Sequence, residues 1–194
     1  MRKAIVVLKD SIHGTITFTQ LHKYEEVVIQ FNLYGFEPKS VHAIHIHEYG
    51  DITDGCKSLG GHFNPTNKVH GHYKQKDHHA GDLFNNILSD INGEFHYTFT
   101  TNEISLFDDV KNIVGRSIVI HQFRDDLGLM GLYNENRQFF HYREMNISEL
   151  KKLCISRGYT CSSMNEMIQK LELESKTTGN AAKRIACGII GLSK

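Results

Sequence analysis

The sequence predicts an all-β fold, a sandwich or barrel of eight short strands. Three observations lead there. Apolar and polar residues alternate with period two in several short runs, turn residues separate those runs, and helical periodicity is confined to one late stretch. Lys3–Lys9 and Thr15–Gln20 are the first strand-like runs, parted by a segment holding Gly14. Val27, Ile29, Phe31 and Leu33 then alternate with Val28, Gln30 and Asn32, the pattern of a strand with one buried face. Val41–His47 alternates again. Leu83–Ser89, Glu94–Thr100, Gly115–His121 and Ile185–Gly191 complete the set, and Asn92-Gly93 between two of these runs is a hairpin signal.

Two stretches break the rhythm. Residues 48–82 are polar, rich in Gly and His, and too long for an ordinary connection, so something must order them, and metal ligation is the obvious agent. From about Leu129 to Leu173 the pattern turns helical. Ile147, Leu150, Leu153 and Cys154 share a helical face that Gly158 can end, and Ser163 with Glu166 makes a capping-box pattern ahead of Met164, Met167, Ile168 and Leu171. These read as a helical hairpin inserted at about 130–172 into a single domain spanning 1–194.

Composition excludes several classes. The 194 residues carry 22 basic and 22 acidic side chains, where a nucleic-acid binder would show a basic excess. No apolar run is long enough to cross a bilayer, and Ala4–Leu8 is too short for a secretory core, so a cytoplasmic location is expected. Four cysteines are too few for a disulfide-dense scaffold. Histidine is the anomaly: 13 are present and eight lie between His42 and His79, a density that points to metal.

The candidate ligands follow from spacing and residue type. His45 and His47, two apart on a strand, point to one face and can share an ion. His121 closes another strand-like run and can join them. His62, His70, His79 and Asp82 offer three imidazoles and a carboxylate from one loop, a set suited to zinc. Nitrogen donors in this number favour copper or zinc over magnesium or calcium. His42 has the opposite strand parity and reads as structural; His72 and His78 read as solvated, and His13, His22, His96 and His141 as surface residues.

Four segments together resemble the copper/zinc superoxide dismutase family: His42–Asp51 (HAIHIHEYGD), Gly61–Pro65 (GHFNP), His79–Leu83 (HAGDL) and Gly179–Gly188 (GNAAKRIACG). The likeness runs in the family's order from residue 1 to about 128 and resumes from about 174. It implies an eight-stranded Greek-key β-barrel with a long metal-binding loop and an electrostatic loop, the latter carrying the helical insertion. It further implies an enzyme that dismutes superoxide to oxygen and hydrogen peroxide with copper and zinc as cofactors. His45, His47, His62 and His121 would hold copper, and His62, His70, His79 and Asp82 zinc. His62 would bridge the two and, with Arg184, which would dock the anion, carry the catalysis. Asp125 would bond a ligand histidine at each metal, and Cys56 and Cys187 would form a disulfide.

The resemblance also implies a homodimer of the intracellular type, meeting near Ile5, Val7, Gly50, Val114, Gly115 and Leu192, with a copper chaperone as a second partner and no nucleic acid or membrane. Two alternatives stand beside it: a non-catalytic copper-binding or chaperone relative, and a dismutase scaffold carrying an interaction module. The copper-site histidines and Arg184, which chaperone relatives lose, weigh against the first. The family's steering segment departs from pattern here, with Leu173 where a glutamate would stand before Glu174. Abundant Lys, Asn and Ile suit a microbial or large-DNA-virus source, in which case host cytoplasm or virion is the expected location.

Overall fold

The computed structural model describes residues 1–107, 110–133 and 138–194. Eleven strands and two α-helices appear among them. A five-stranded antiparallel sheet contains β1 (Arg2–Lys9), β2 (His13–Gln20), β3 (Val27–Tyr34), β6 (Phe95–Thr101) and β11 (Gly191–Ser193), in the order β11-β1-β2-β3-β6. Facing it, a four-stranded sheet holds β4 (Val41–His47), β5 (Asn86–Leu88), β7 (Ser117–His121) and β10 (Arg184–Ile189), in the order β10-β7-β4-β5. Because β3 pairs with β6 and β4 with β7, the chain leaves and rejoins each sheet in Greek-key fashion.

The period-two residues build the core between the sheets. Val6, Ile16, Phe18, Ile29, Phe31, Ile44, Ile46, Ile118, Ile120 and Ala186 all belong to one buried cluster. At about 1.5–3 kcal/mol for each fully buried large aliphatic or aromatic side chain, this cluster is the principal source of stability. The expected last strand is broken at Ile190 into β10 and β11, which lie in different sheets and so close one side of the barrel. Phe84 covers the other side, packing on Phe31 and Phe95 at ring separations of 5.2 and 6.0 Å.

The Asn92-Gly93 turn corrects one expectation. The turn is real: Asp90 Oδ1 accepts from the N–H groups of Asn92 and Glu94, both at 2.8 Å. It does not make a hairpin, because β5 pairs with β4 and β6 with β3. The burial demand of Phe95 and Phe99 against the five-stranded sheet overrides the local pairing signal.

A short ribbon of β8 (Gly131–Tyr133) and β9 (Phe139–His141) leads into helices α1 (Ile147–Ser156) and α2 (Met164–Thr178). They enclose a second, smaller cluster of Tyr142, Leu150, Cys154, Met167 and Leu171. Asn146 and Glu149 cap α1 reciprocally. Ser163 caps α2, while Glu166 reaches back to Ser162 instead of closing on Ser163. Helix α2 runs five residues past Leu173, so the Glu174–Thr178 segment expected in a loop is helical. Ser175 continues the buried Met167–Leu171 face at the next turn, and Gly179, in the left-handed region at φ 67°, ends the helix.

Candidate metal centre

Strand β4 sends Ile44 and Ile46 into the core, so His45 and His47 occupy the outer face of the sheet. Their ring centroids are 6.5 Å apart. On the neighbouring strand His121 ends β7 opposite Arg184 of β10. The β10 register shifts between Arg184 and Ala186. That bulge turns Arg184 to the outer face beside His121, where an unbroken alternation would have sent it toward the core with Ala186.

The loop after β4 is laced onto that strand. Glu48 N–H donates to Gly61 O at 3.0 Å, Phe63 N–H to Ile46 O at 2.8 Å, and Gly81 N–H to Phe63 O at 2.9 Å. His62 is thereby held over His45 and His47. A single 3-10 turn, Ala80–Asp82, then brings His79 and Asp82 to the same place. The Asp82 Oδ2 oxygen accepts from the backbone N–H groups of His79 (2.8 Å) and Gly71 (3.2 Å). Its other oxygen, Oδ1, is left where the Nδ1 atoms of His62, His70 and His79 converge, at 3.0, 3.0 and 3.2 Å.

Two donor groups result. One comprises His45, His47, His62 and His121; the other His62, His70, His79 and Asp82; all are buried, and within each group the donor atoms lie within 4.8 Å of one another. In four of the six rings one nitrogen is tied back outside the groups, which fixes which nitrogen faces inward. His47 Nδ1–H donates to Gly60 O (2.9 Å), His121 Nδ1–H to Ala182 O (3.2 Å) and His45 Nε2–H to Asp125 Oδ2 (2.7 Å). His70 Nε2–H donates to Asp125 Oδ1 at 2.8 Å, so one carboxylate stands behind both groups. Asp125 is itself held by Asn85 Nδ2 (2.9 Å) and Leu127 N–H (2.6 Å).

Electrostatics match this layout. Burial lowers His45 and takes His47 well below the ordinary histidine range, and it takes His62 and His121 down to about 3, so all four rings are neutral donors at pH 7. Burial would also lower His70, but Asp125 and Asp82 outweigh it and raise that ring to about 10. Both carboxylates, although desolvated, are held below their usual range by the facing histidines. A dication among the Nδ1 atoms of His62, His70 and His79 would satisfy Asp82 in their place.

The residues fit metal ions on two further counts. His45 Nδ1 and His62 Nε2 are buried with no hydrogen-bond partner, a costly arrangement for polar atoms unless something binds them. The donor chemistry, four imidazole nitrogens in one group and three with a carboxylate oxygen in the other, is that of copper and zinc.

Comparison with known proteins agrees. The model of the copper/zinc superoxide dismutase (SODC) family matches residues 12–139. The chain belongs to that family. A copper/zinc superoxide dismutase of Paramecium bursaria Chlorella virus 1 is 36% identical over 191 residues, covering 98% of this chain and 79% of the relative. Superoxide dismutase [Cu-Zn] 5 of Dictyostelium discoideum is 36% identical over 192 residues, with 98% of both chains covered. Among solved structures, the crystal structure of the clock protein EA4 superposes with a TM-score of 0.70 at 32% identity, covering 97% of this chain and 93% of that one. This dismutase therefore converts superoxide to oxygen and hydrogen peroxide with copper and zinc as its cofactors.

The histidines and Asp82 singled out in the sequence meet in these two donor groups, with Asp125 behind them. Arg184 is half-buried beside His121 and donates from Nη1 to Cys56 O (2.7 Å) and from Nη2 to Gly60 O. Cys56 and Cys187 are joined, their Cα atoms 5.8 Å apart across 131 residues of chain. His42 faces away and bonds His121 O at 2.9 Å. His78 departs from expectation: it is buried, with Nδ1 2.8 Å from His79 O.

Sequence reasoning missed the support on the far side of Asp125. Its neighbour Asp126 is buried and accepts from Tyr142 Oη (2.6 Å), Ser175 Oγ (2.9 Å), Asn180 Nδ2 (3.0 Å) and Gly128 N–H (3.1 Å). Tyr142, Ser175 and Asn180 come from β9's exit, α2 and the following turn, so the helices are anchored one residue from the carboxylate behind the metal groups. Consecutive aspartates in a polar stretch look like surface charge, and only the fold separates their roles.

Proposed function

We propose that superoxide is disproportionated in this chain at His45, His47, His62 and His121 as the copper ligands, with His62, His70, His79 and Asp82 binding zinc. The observation that carries this reading is the orientation of His62: Nδ1 faces the carboxylate-containing group and the unpartnered Nε2 faces the all-histidine group. Copper supplies the one-electron redox chemistry when bound, and zinc supplies charge without redox chemistry. His62 Nε2 is the buried nitrogen that takes up a proton and gives it to the leaving peroxide. Arg184, fixed by three loop carbonyls, orients the small anion beside His121, and its positive charge raises the rate of encounter on a chain with no net charge. Asp125 keeps His45 and His70 in one tautomer and one orientation.

The supporting experiment pairs metal content by mass spectrometry with a superoxide-decay assay. About one copper and one zinc per chain are expected. His45→Ala abolishes activity and lowers copper content. Arg184→Ala retains both metals but lowers the second-order rate constant about tenfold, the low end of electrostatic steering. Full metal content with no dismutation in the unaltered chain would overturn the reading.

The chain works as a homodimer in this proposal. Val7 and Leu192, 46% and 66% exposed, supply apolar surface where the two-fold contact is expected. A copper chaperone loads the site. The working location is the cytoplasm, or the host cytoplasm or virion for a viral source such as that of the Chlorella virus relative.

A further inference from the structure

Helix α1 and the approach to α2 bring two thiols together outside the metal centre. Cys154 lies on the buried face of α1, 2% exposed. Gly158, at φ 79°, reverses the chain after the helix, and Tyr159 N–H donates back to Cys154 O at 2.8 Å. That turn returns Cys161 to the same small apolar cluster, packed in with Cys154. Neither is in a disulfide.

The two sulfurs have different surroundings. Cys161 is partly exposed. Lys170 Nζ donates to the carbonyl of the preceding residue, Thr160, at 2.9 Å, which holds an ammonium group beside Cys161. Glu166 Oε1 accepts from the same ammonium at 3.0 Å, but its other oxygen is committed to Ser162 N–H and Oγ. Cys154 is the opposite case: burial and the neighbouring Cys161 thiol push its thiol up to about 11. Solvent access leaves the Cys161 sulfur open to a small oxidant, while burial shields that of Cys154. The pair therefore has one sulfur suited to attack and one suited to resolve.

We propose that Cys154 and Cys161 form a peroxide-oxidisable dithiol in which Cys161 reacts first and Cys154 closes the disulfide. In the first step the Cys161 thiolate sulfur attacks one oxygen of hydrogen peroxide. The S–O bond forms, the O–O bond breaks, and the departing hydroxide takes a proton and leaves as water. In the second step the Cys154 sulfur attacks the Cys161 sulfenic acid. The S–S bond forms, the S–O bond breaks, and a second water leaves with the Cys154 proton. Two thiols and one peroxide give one disulfide and two waters, the sulfur pair losing the two electrons that peroxide gains. Hydrogen peroxide is the product of the dismutase reaction, so the oxidant is made by the chain itself. The proposal rests on the dismutase reading only for that source.

The test adds peroxide directly to the metal-loaded full chain, so its result does not depend on dismutation. Superoxide decay is followed separately. Arg157 lies between the two cysteines, so trypsin leaves two peptides joined only if the disulfide has formed. The expected result is loss of two thiols per chain and recovery of the Cys154 peptide linked to the Cys161 peptide. Cys154→Ser should accumulate a sulfenic acid at Cys161 that dimedone traps. In Cys161→Ser, the Cys154 thiol should react about tenfold more slowly than Cys161 does in the native chain. Both thiols persisting at a dose that oxidises glutathione would overturn the proposal. So would linkage to Cys56 or Cys187, linkage between chains, or equally fast modification of Cys154 in Cys161→Ser.

Discussion

A methyl group at position 179 has nowhere to go. Its carbon would meet Asp125 Oδ1 and lie 2.6 Å from His70 Nε2, and the residue sits in the left-handed region at φ 67°. Gly179→Ala should therefore separate the helix terminus from the carboxylate behind both metal groups. The left-handed backbone alone costs about 1–2 kcal/mol, or roughly 2–8 °C of melting temperature for a chain this long. Displacement of His70 adds loss of zinc. Calorimetry and metal analysis on the variant check both; unchanged zinc with an unchanged melting temperature would contradict the packing argument. At this scale the sequence was readable wherever chemistry restricts residue type. Thirteen histidines, a conspicuous loop and a carboxylate led to the donor set by spacing, and family resemblance added Asp125, Arg184 and the disulfide. It was opaque at Asn85, whose buried amide holds both Asp125 and the Gly71 carbonyl, because an asparagine after a turn looks the same whether or not it supports a carboxylate.

At the scale of elements, the two helices are tied to the barrel by polar contacts as much as by their apolar faces. Tyr142, fully buried, gives its hydroxyl hydrogen to Asp126 and accepts from Asn180 Nδ2 at 2.8 Å. Tyr142→Phe removes a hydrogen bond to a buried charge, worth about 1.5–3 kcal/mol. Thermal unfolding should register it, with faster amide exchange concentrated in 139–178; exchange unchanged there would show that apolar packing alone holds the helices. A second prediction concerns pH. Hydrogen bonds from Ser162 and the Lys170 ammonium lower Glu166 from 4.5 to about 2. A carboxylate whose folded value is depressed contributes stability above its unfolded value and loses it as pH falls through the folded one. The stability difference between the native chain and Glu166→Gln should thus be constant above about pH 5, shrink between pH 4.5 and 2, and vanish below. Melting curves across that range decide it, and a difference independent of pH would exclude the carboxylate as cause. Apolar periodicity located both helices but stopped α2 at Leu173, since Ser175 continues its buried face with a hydroxyl that no hydrophobic pattern can detect. The Asn92-Gly93 turn misled in the converse way: the local signal was correct and the sheets it joins were not.

For the molecule as a whole, the disulfide and the apolar edge define how the chain holds together and what it meets. Cys56–Cys187 closes 131 residues of chain, a constraint on the unfolded state of roughly 5 kcal/mol. It also fixes the loop whose carbonyls hold Arg184, so stability and the placement of that guanidinium depend on one covalent link. Leu192, 66% exposed on the edge strand β11, tests the assembly without touching the core. Leu192→Asp should give a monomer by light scattering at concentrations where the native chain has twice that mass, with the barrel still folded; a native chain of single-chain mass would remove the dimer from the proposal. Most of the barrel was legible because alternation imposes burial, and burial imposes sheet pairing. The closure of its two open sides was not, since the break at Ile190 and the position of Phe84 depend on contacts between distant segments.

Asp125 and Asp126 are adjacent in the chain and face unrelated tasks, one toward the imidazoles and the other toward the helices. That adjacency makes the helical segment a replaceable module. Any outward-facing residue of α1 or α2 can drift, and new surface chemistry can be tried there, provided a hydroxyl reaches Asp126 from Tyr142 and from Ser175. The dipeptide thus serves as a socket through which this lineage can modify its exterior while leaving an oxygen-handling centre untouched one peptide bond away.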